Sequence, residues 1–267
     1  MSSMSEKDTP PILTGKHYAS PSAFTPESLL REARRQKQAA AQPVPDVCLL
    51  DPDGDIVQHL KAAGSVRLHE GWVCYHTDLY LFEPAGRAFG VVGCAVGSSF
   101  AVLVAEELFA SGCQLLVSIT SAGQITPVRT PPYFILIDRA LRDEGTSYHY
   151  LPPSRFSAAP EGVLEKLAGS IADLRSPVLV GATWTTDAPF RETQAAIDSM
   201  RAEGILAVEM EAAALYAFAA ARRRSVVCFA HVTNQMGQID GDFEKGEADG
   251  ATASLTLFDR TVTLLGY

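Results

Sequence analysis

The chain has 267 residues, 47% of them apolar and 20% charged, with 22 Lys+Arg against 31 Asp+Glu for a net charge of −9. That length fits one large domain or two small ones, and so high an apolar share without low-complexity tracts excludes intrinsic disorder for most of the chain. The acidic balance argues against nucleic acid, and no apolar run reaches the roughly 18–20 residues of a membrane span, so a soluble, cytoplasmic protein with neither kind of partner is expected.

Residues 1–43 differ from the rest: they hold six basic and four acidic residues, which leaves −11 on residues 44–267. Within this N-terminal arm, Thr25-Pro26-Glu27 predicts a helix start, with Thr as N-cap and Pro at the first helical position. A basic helix LLREARRQKQAAA follows, ended by Pro43.

From Val44 onward, VPDVCLL, AFGVVGCAV, CQLLVSIT, YFILID, SPVLVGATW and SVVCFAHVT read as buried strands bounded by Gly, Pro, Asp or Ser. WVCYHTDLYLFE alternates like an antiparallel strand. Helical spacing runs through SSFAVLVAEELFASG, PEGVLEKLAGSIADL, ETQAAIDSMRAEG and EMEAAALYAFAAARRR. The alternation predicts a single α/β domain over 44–267, with a mixed or largely parallel sheet covered on both faces. The five scattered cysteines form no CxxC and read as reduced core thiols.

Ligand sites in such sheets lie beyond the carboxyl ends of strands. Gly93–Ser99, small and polar before a helix, suits close backbone approach to a polar ligand or, equally, tight strand-to-helix packing. Ser118–Gly123 brings hydroxyls and a glycine to another strand end. Glu209-Met210-Glu211 opens an apolar helix, where acids complement the dipole; yet two acids two residues apart point differently, so one faces inward and needs donors such as vicinal sugar hydroxyls.

Glu209-Met210-Glu211-Ala212-Ala213 resembles the signature of the nucleoside phosphorylase superfamily, which includes uridine phosphorylases, purine nucleoside phosphorylases and nucleosidases. The resemblance continues through Leu50-Asp51-Pro52-Asp53, Val96-Gly97-Ser98, Thr120-Ser121-Ala122-Gly123, Thr185-Thr186-Asp187 and His231-Val232-Thr233-Asn234. It implies a central mixed, partly barrel-like sheet flanked by helices, a homo-oligomer (dimer, trimer or hexamer) and cleavage of a nucleoside N-glycosidic bond. No cofactor or metal is implied, with inorganic phosphate as co-substrate.

Carried over, Glu211 accepts from the ribose 2′- and 3′-hydroxyls with Met210 and Glu209 beside it. Gly97, Ser98, Thr120, Ser121 and Gly123 line the nucleophile site. Phe190, Arg191, Trp184 and Asn234 face the base, though Trp184 reads more readily as core and Arg191 equally as a surface ion pair. An Asn at 234 suits a 6-oxopurine, since an amide both donates and accepts, while an arginine at 191 suits a pyrimidine or purine carbonyl, so the base class stays open.

The chain departs from phosphorylases where they keep two phosphate-binding arginines, here Gly54 and Ser118, and it fills the first loop with Asp51, Asp53 and Asp55. Like charges about 4 Å apart repel by about 4 kcal/mol at an effective dielectric near 20, which opposes phosphate. Arg67, Arg87 and Arg129 stand as substitutes. Nucleosidases of the family activate water with a carboxylate, a role open to Asp51 or Asp53. DPDGD also looks like a calcium loop, but Ala62 stands where the bidentate acid belongs. The family resemblance alone keeps phosphorolysis the leading expectation, with a phosphate-independent nucleosidase, favoured by the missing arginines, and a non-catalytic nucleoside-binding protein as alternatives. The Arg142–Tyr150 segment, His69, His76 and Gly241–Gly246 read as site walls or subunit contacts.

Overall fold

In a computed structural model, residues 9–171, 176–236 and 240–267 are described. The first helix, α1 (Pro26–Lys37), starts as its sequence dictates, with the Thr25 side chain accepting from the Ser28 N–H. It stops before the predicted end, because Gln38 takes a left-handed conformation. Its buried Leu30 and Ala33 pack against Val73, and the helix lies on α3 (Ser98–Ala110).

Among the described residues ten strands form one mixed sheet. Val-rich, Leu-rich and Ile-rich runs supply β1 (Val47–Asp51), β4 (Phe89–Gly93), β5 (Leu115–Gln124), β6 (Tyr133–Asp143), β8 (Val178–Thr186) and β10 (Ser225–Asn234). The short strands are β2 (Val66–Leu68), β3 (Leu79–Phe82), β7 (Phe156–Ala158) and β9 (Ala207–Glu209). Because β5 pairs with both β10 and β9, the strands β5, β10, β6, β8 and β9 close into a barrel. From β5 the sheet continues outward through β1, β4, β3 and β2.

Alternating side chains divide the core between the two faces. Leu50, Val92, Leu116 and Ile135 pack towards α3 and α6 (Ala212–Arg222). Leu49, Val91, Val117 and Phe229 pack towards α2 (Asp55–Ala62) and α7 (Ala251–Leu265). The remaining helices are α4 (Glu161–Leu167) and α5 (Gln194–Ala202).

Besides the early end of α1, and α2 and α7, which were not predicted, four predicted features differ from expectation. Of WVCYHTDLYLFE only Leu79–Phe82 is strand, because the Trp72 indole N–H folds back onto Thr77. The stretch Ser118–Gly123 does not lie past the end of a strand but inside β5. Glu209 ends β9 rather than opening α6. The helix predicted over residues 160–174 is α4 at its start, and its last residues lie outside the described ones. Four of the five cysteines are buried free thiols, while Cys94 is exposed.

Candidate active site

The site begins at a fork in the sheet. β5 has β1 beside it only as far as Ser118, and β9 joins that same edge only at Gly123. Between these points β10 covers one edge of β5 and the other edge stands open, so main-chain groups there need partners from elsewhere. Three segments converge on the opening: the loop after β1, the start of α3 and the β9–α6 junction.

Glu211 is the N-cap residue of α6 and is only 2% exposed. One carboxylate oxygen accepts from the Gly97 N–H at 2.7 Å and the other from the Met210 N–H at 3.2 Å. Ser98 Oγ donates to the Met210 carbonyl at 2.7 Å, tying the start of α3 to the same junction. Gly97 has φ +94°, a conformation natural to glycine that lets its N–H face the carboxylate. Burial, reinforced by repulsion from Glu209, pushes the Glu211 carboxyl up to about 8.

Glu209 points the other way. Its carboxylate accepts from the Thr183 and Thr185 hydroxyls, at 3.0 and 2.5 Å, and from the N–H groups of Glu211 and Ala212, at 2.8 and 2.7 Å. Four protein donors engage this acid, which caps α6 and ties it to β8. Burial raises its proton affinity too.

Across the opening lies the acidic loop. Asp51 accepts from the Val57 N–H at 2.9 Å, and burial above all pushes its carboxyl up to about 7. Asp53 accepts twice from one residue of the open edge: from Ser121 N–H at 2.7 Å and from Ser121 Oγ at 2.8 Å. Asp55 forms an ion pair with Lys245. Burial works against the Lys245 charge, but the bond to Asp55 and the fields of Asp53 and Asp249 hold its proton affinity above the ordinary value. His231, stacked on Phe134 at 4.4 Å, is driven down to about 4 by burial and by Lys245. Asp51, Asp53, Asp55, Thr120, Ser121 and Lys245 line one small cavity.

The family model of the phosphorylase superfamily matches residues 75–263. The chain belongs to that superfamily. A guanosine phosphorylase of Halorubrum lacusprofundi is 27% identical over 167 residues, 62% of this chain; the chain spans 66% of that curated relative's length. Among solved structures, a uridine phosphorylase from Vibrio fischeri ES114 complexed with 6-hydroxy-1-naphthoic acid superposes with a TM-score of 0.72 at 16% identity, covering 87% of this chain and 99% of that one. A second structure of uridine phosphorylase from the same organism gives 0.68 at 20% identity, covering 85% and 94%. At such identities these structures show the fold, which is the expected mixed barrel-like one.

In this phosphorylase-superfamily chain the fork collects most of the expected residues, Asn234 among them, but not Trp184, Phe190 and Arg191, which were also predicted at the base. Asn234 ends β10 beside Gly123; its Oδ1 accepts from the Met236 N–H, and the thioether of Met236 lies against Gly123, where a Cβ would come within 2.3 Å of it. Trp184 is buried among Ile125, Leu141 and Val208, with its indole N–H on Asp143 at 2.9 Å. Phe190 is fully exposed and Arg191 is exposed in a short 3-10 turn, Pro189–Arg191, so within one protomer neither touches the fork.

The two positions where phosphorylases keep arginines are closed to a long side chain here. Gly54 has φ +88°, and a Cβ on it would lie 2.6 Å from Cys94 Sγ. Ser118 is 1% exposed in the interior. Arg67 pairs with Glu83 at the sheet edge, Arg87 stacks on Phe89, and Arg129 lines a separate surface hollow. Buried Arg142 spends its guanidinium on Ser147, Leu151, Pro152 and Ser154, which makes the Arg142–Tyr150 segment a folded wall. His69 bonds the Pro43 carbonyl, and His76 meets Phe100 edge-on. In the sequence Lys245 is only a charge within the Gly241–Gly246 segment, read there as a site wall or a subunit contact. A larger cavity than the one at the acidic loop lies elsewhere, between α1 and α3 near Phe24, Leu103 and Arg222.

Proposed function

We propose that the protein cleaves the N-glycosidic bond of a ribonucleoside by phosphorolysis. The bond from C1′ to the base nitrogen breaks, a phosphate oxygen bonds C1′, and the departing base takes up a proton. The observation that carries this reading is Glu211, a nearly inaccessible carboxylate held by Gly97 and Met210 at the mouth of a strand fork. Such an acid is stabilised when ionised by vicinal hydroxyls that donate to it, and its charge favours the cationic sugar of an oxocarbenium-like transition state.

Met210 follows as the sugar's apolar neighbour and Asn234 as the group facing the base. The Asn234 amide suits a 6-oxopurine, because it donates to a carbonyl and accepts from a ring N–H. The guanosine phosphorylase similarity supports the same class of base.

The test is a panel of purine and pyrimidine ribonucleosides with and without inorganic phosphate. Base release that requires phosphate, fastest with guanosine or inosine, is the expected result; equal release without phosphate contradicts phosphorolysis. A second reading, hydrolysis, is favoured by Asp51, whose proton affinity near neutrality suits a base that activates water. The same panel decides between them.

A further inference from the structure

His231 and Phe134 stand directly opposite each other on the antiparallel strands β10 and β6, and their stacked rings line a cavity of about 260 Å³ beside α7. This cavity is separate from the small acidic one at the fork and shares only His231 and Lys245 with it. His231 is 6% exposed, yet neither ring nitrogen has a hydrogen-bond partner among the described residues. Gly250, the N-cap residue of α7 at φ +82°, makes room for the ring edge: a Cβ there would lie 2.3 Å from Cε1 and 2.8 Å from Nδ1. Burial and the Lys245 charge keep the imidazole neutral, so it carries one N–H donor and one acceptor. A polar group buried that deeply without a partner costs free energy that a ligand in the cavity recovers.

The lining sets the class of that ligand. Lys245 brings three donors, of which Asp55 engages one, and the start of α7 adds its partial positive charge. With Asp55 on the same ammonium and Glu247 in the same lining, the site balances one negative charge and not two. Phe134, Ala253 and Leu257 are apolar. A volume just under the roughly 300–1,000 Å³ of ordinary ligand pockets suits a body of about one ring.

We propose that this cavity binds a small organic monocarboxylate, its charged end on Lys245 and His231 and its apolar, ring-sized body against Phe134, Ala253 and Leu257. The site lies outside the strand fork and stands whichever nucleophile the fork employs. Because Lys245 also faces the acidic cavity, a bound carboxylate competes with Asp55 for it, which links occupancy to the acidic loop.

Benzoate is the probe, titrated calorimetrically into the full-length protein without nucleoside. Binding with a Kd of about 1 mM or tighter is expected, and benzamide, the uncharged isostere, binds at least about tenfold more weakly. K245M removes the cation and A253F fills the cavity from α7; each is expected to weaken benzoate at least about tenfold, whereas E211Q at the fork leaves its Kd unchanged. Circular dichroism verifies folding, and K245M, a change at a half-buried side chain, carries the test should A253F fail to fold. No benzoate binding at about 10 mM, equal binding of benzamide, unchanged binding by K245M or by folded A253F, or loss of binding in E211Q overturns the proposal.

Discussion

Glu211 is a buried acid beside another buried acid, and that sets its behaviour. In the proposed reading sugar hydroxyls bind the ionised form, whereas burial and Glu209 favour the neutral one. In the free enzyme kcat/KM for the nucleoside should therefore rise with pH as Glu211 loses its proton near pH 8, a limb that E211Q lacks. Each lost hydrogen bond to a charged group costs about 1.5–3 kcal/mol, so loss of two lowers kcat/KM of E211Q by roughly 10²- to 10⁴-fold. Stability moves the opposite way. An acid with a raised folded pKa contributes stability that is fully present below its unfolded pKa and is lost as pH rises through the folded value. E211Q is expected to lose less thermal stability than the natural protein between pH 5 and about 9; an identical pH–Tm profile would refute the assignment.

Glu209 matters to elements rather than to ligands. It joins β8 through two threonines to the first turn of α6, and α6 carries Glu211. E209A strips a helix cap worth about 1 kcal/mol and strands buried donors at about 1–3 kcal/mol. A loss of roughly 2–4 kcal/mol in urea unfolding is expected, and a loss below about 0.5 kcal/mol would show that the cap is dispensable.

Much of this level was legible in the sequence. Apolar runs and helix-start chemistry located β1, β5, β10, α1 and α3, because burial on both faces leaves continuous Val, Ile and Leu. The C-terminal helix α7 was missed: its Thr and Val residues weaken the helical signal, and packing of Leu257, Phe258 and Val262 on the sheet supplies what propensity lacks. At the site, Glu211 and the Ser121 strand were legible from their motifs. That Asp53 bonds Ser121, 68 positions away, was not, since tertiary geometry alone brings the two loops together.

Across the whole molecule, the fork exists because the barrel closes through β5 while the outer sheet departs from the same strand. β1 leaves, β9 arrives late, and the open edge between them has the buried Glu211 carboxylate on one side and the Asp53–Ser121 contact on the other. The net charge of −9 is partly concentrated in Asp51, Asp53 and Asp55 at this opening.

The most direct test of the central claim is a crystal structure with a bound, unreactive ribonucleoside. The predicted result places the 2′- and 3′-hydroxyls about 2.5–3.0 Å from the Glu211 carboxylate, with C1′ towards Ser121 and the base towards Asn234. A nucleoside that leaves Glu211 untouched, or that occupies the larger cavity between α1 and α3, would contradict it.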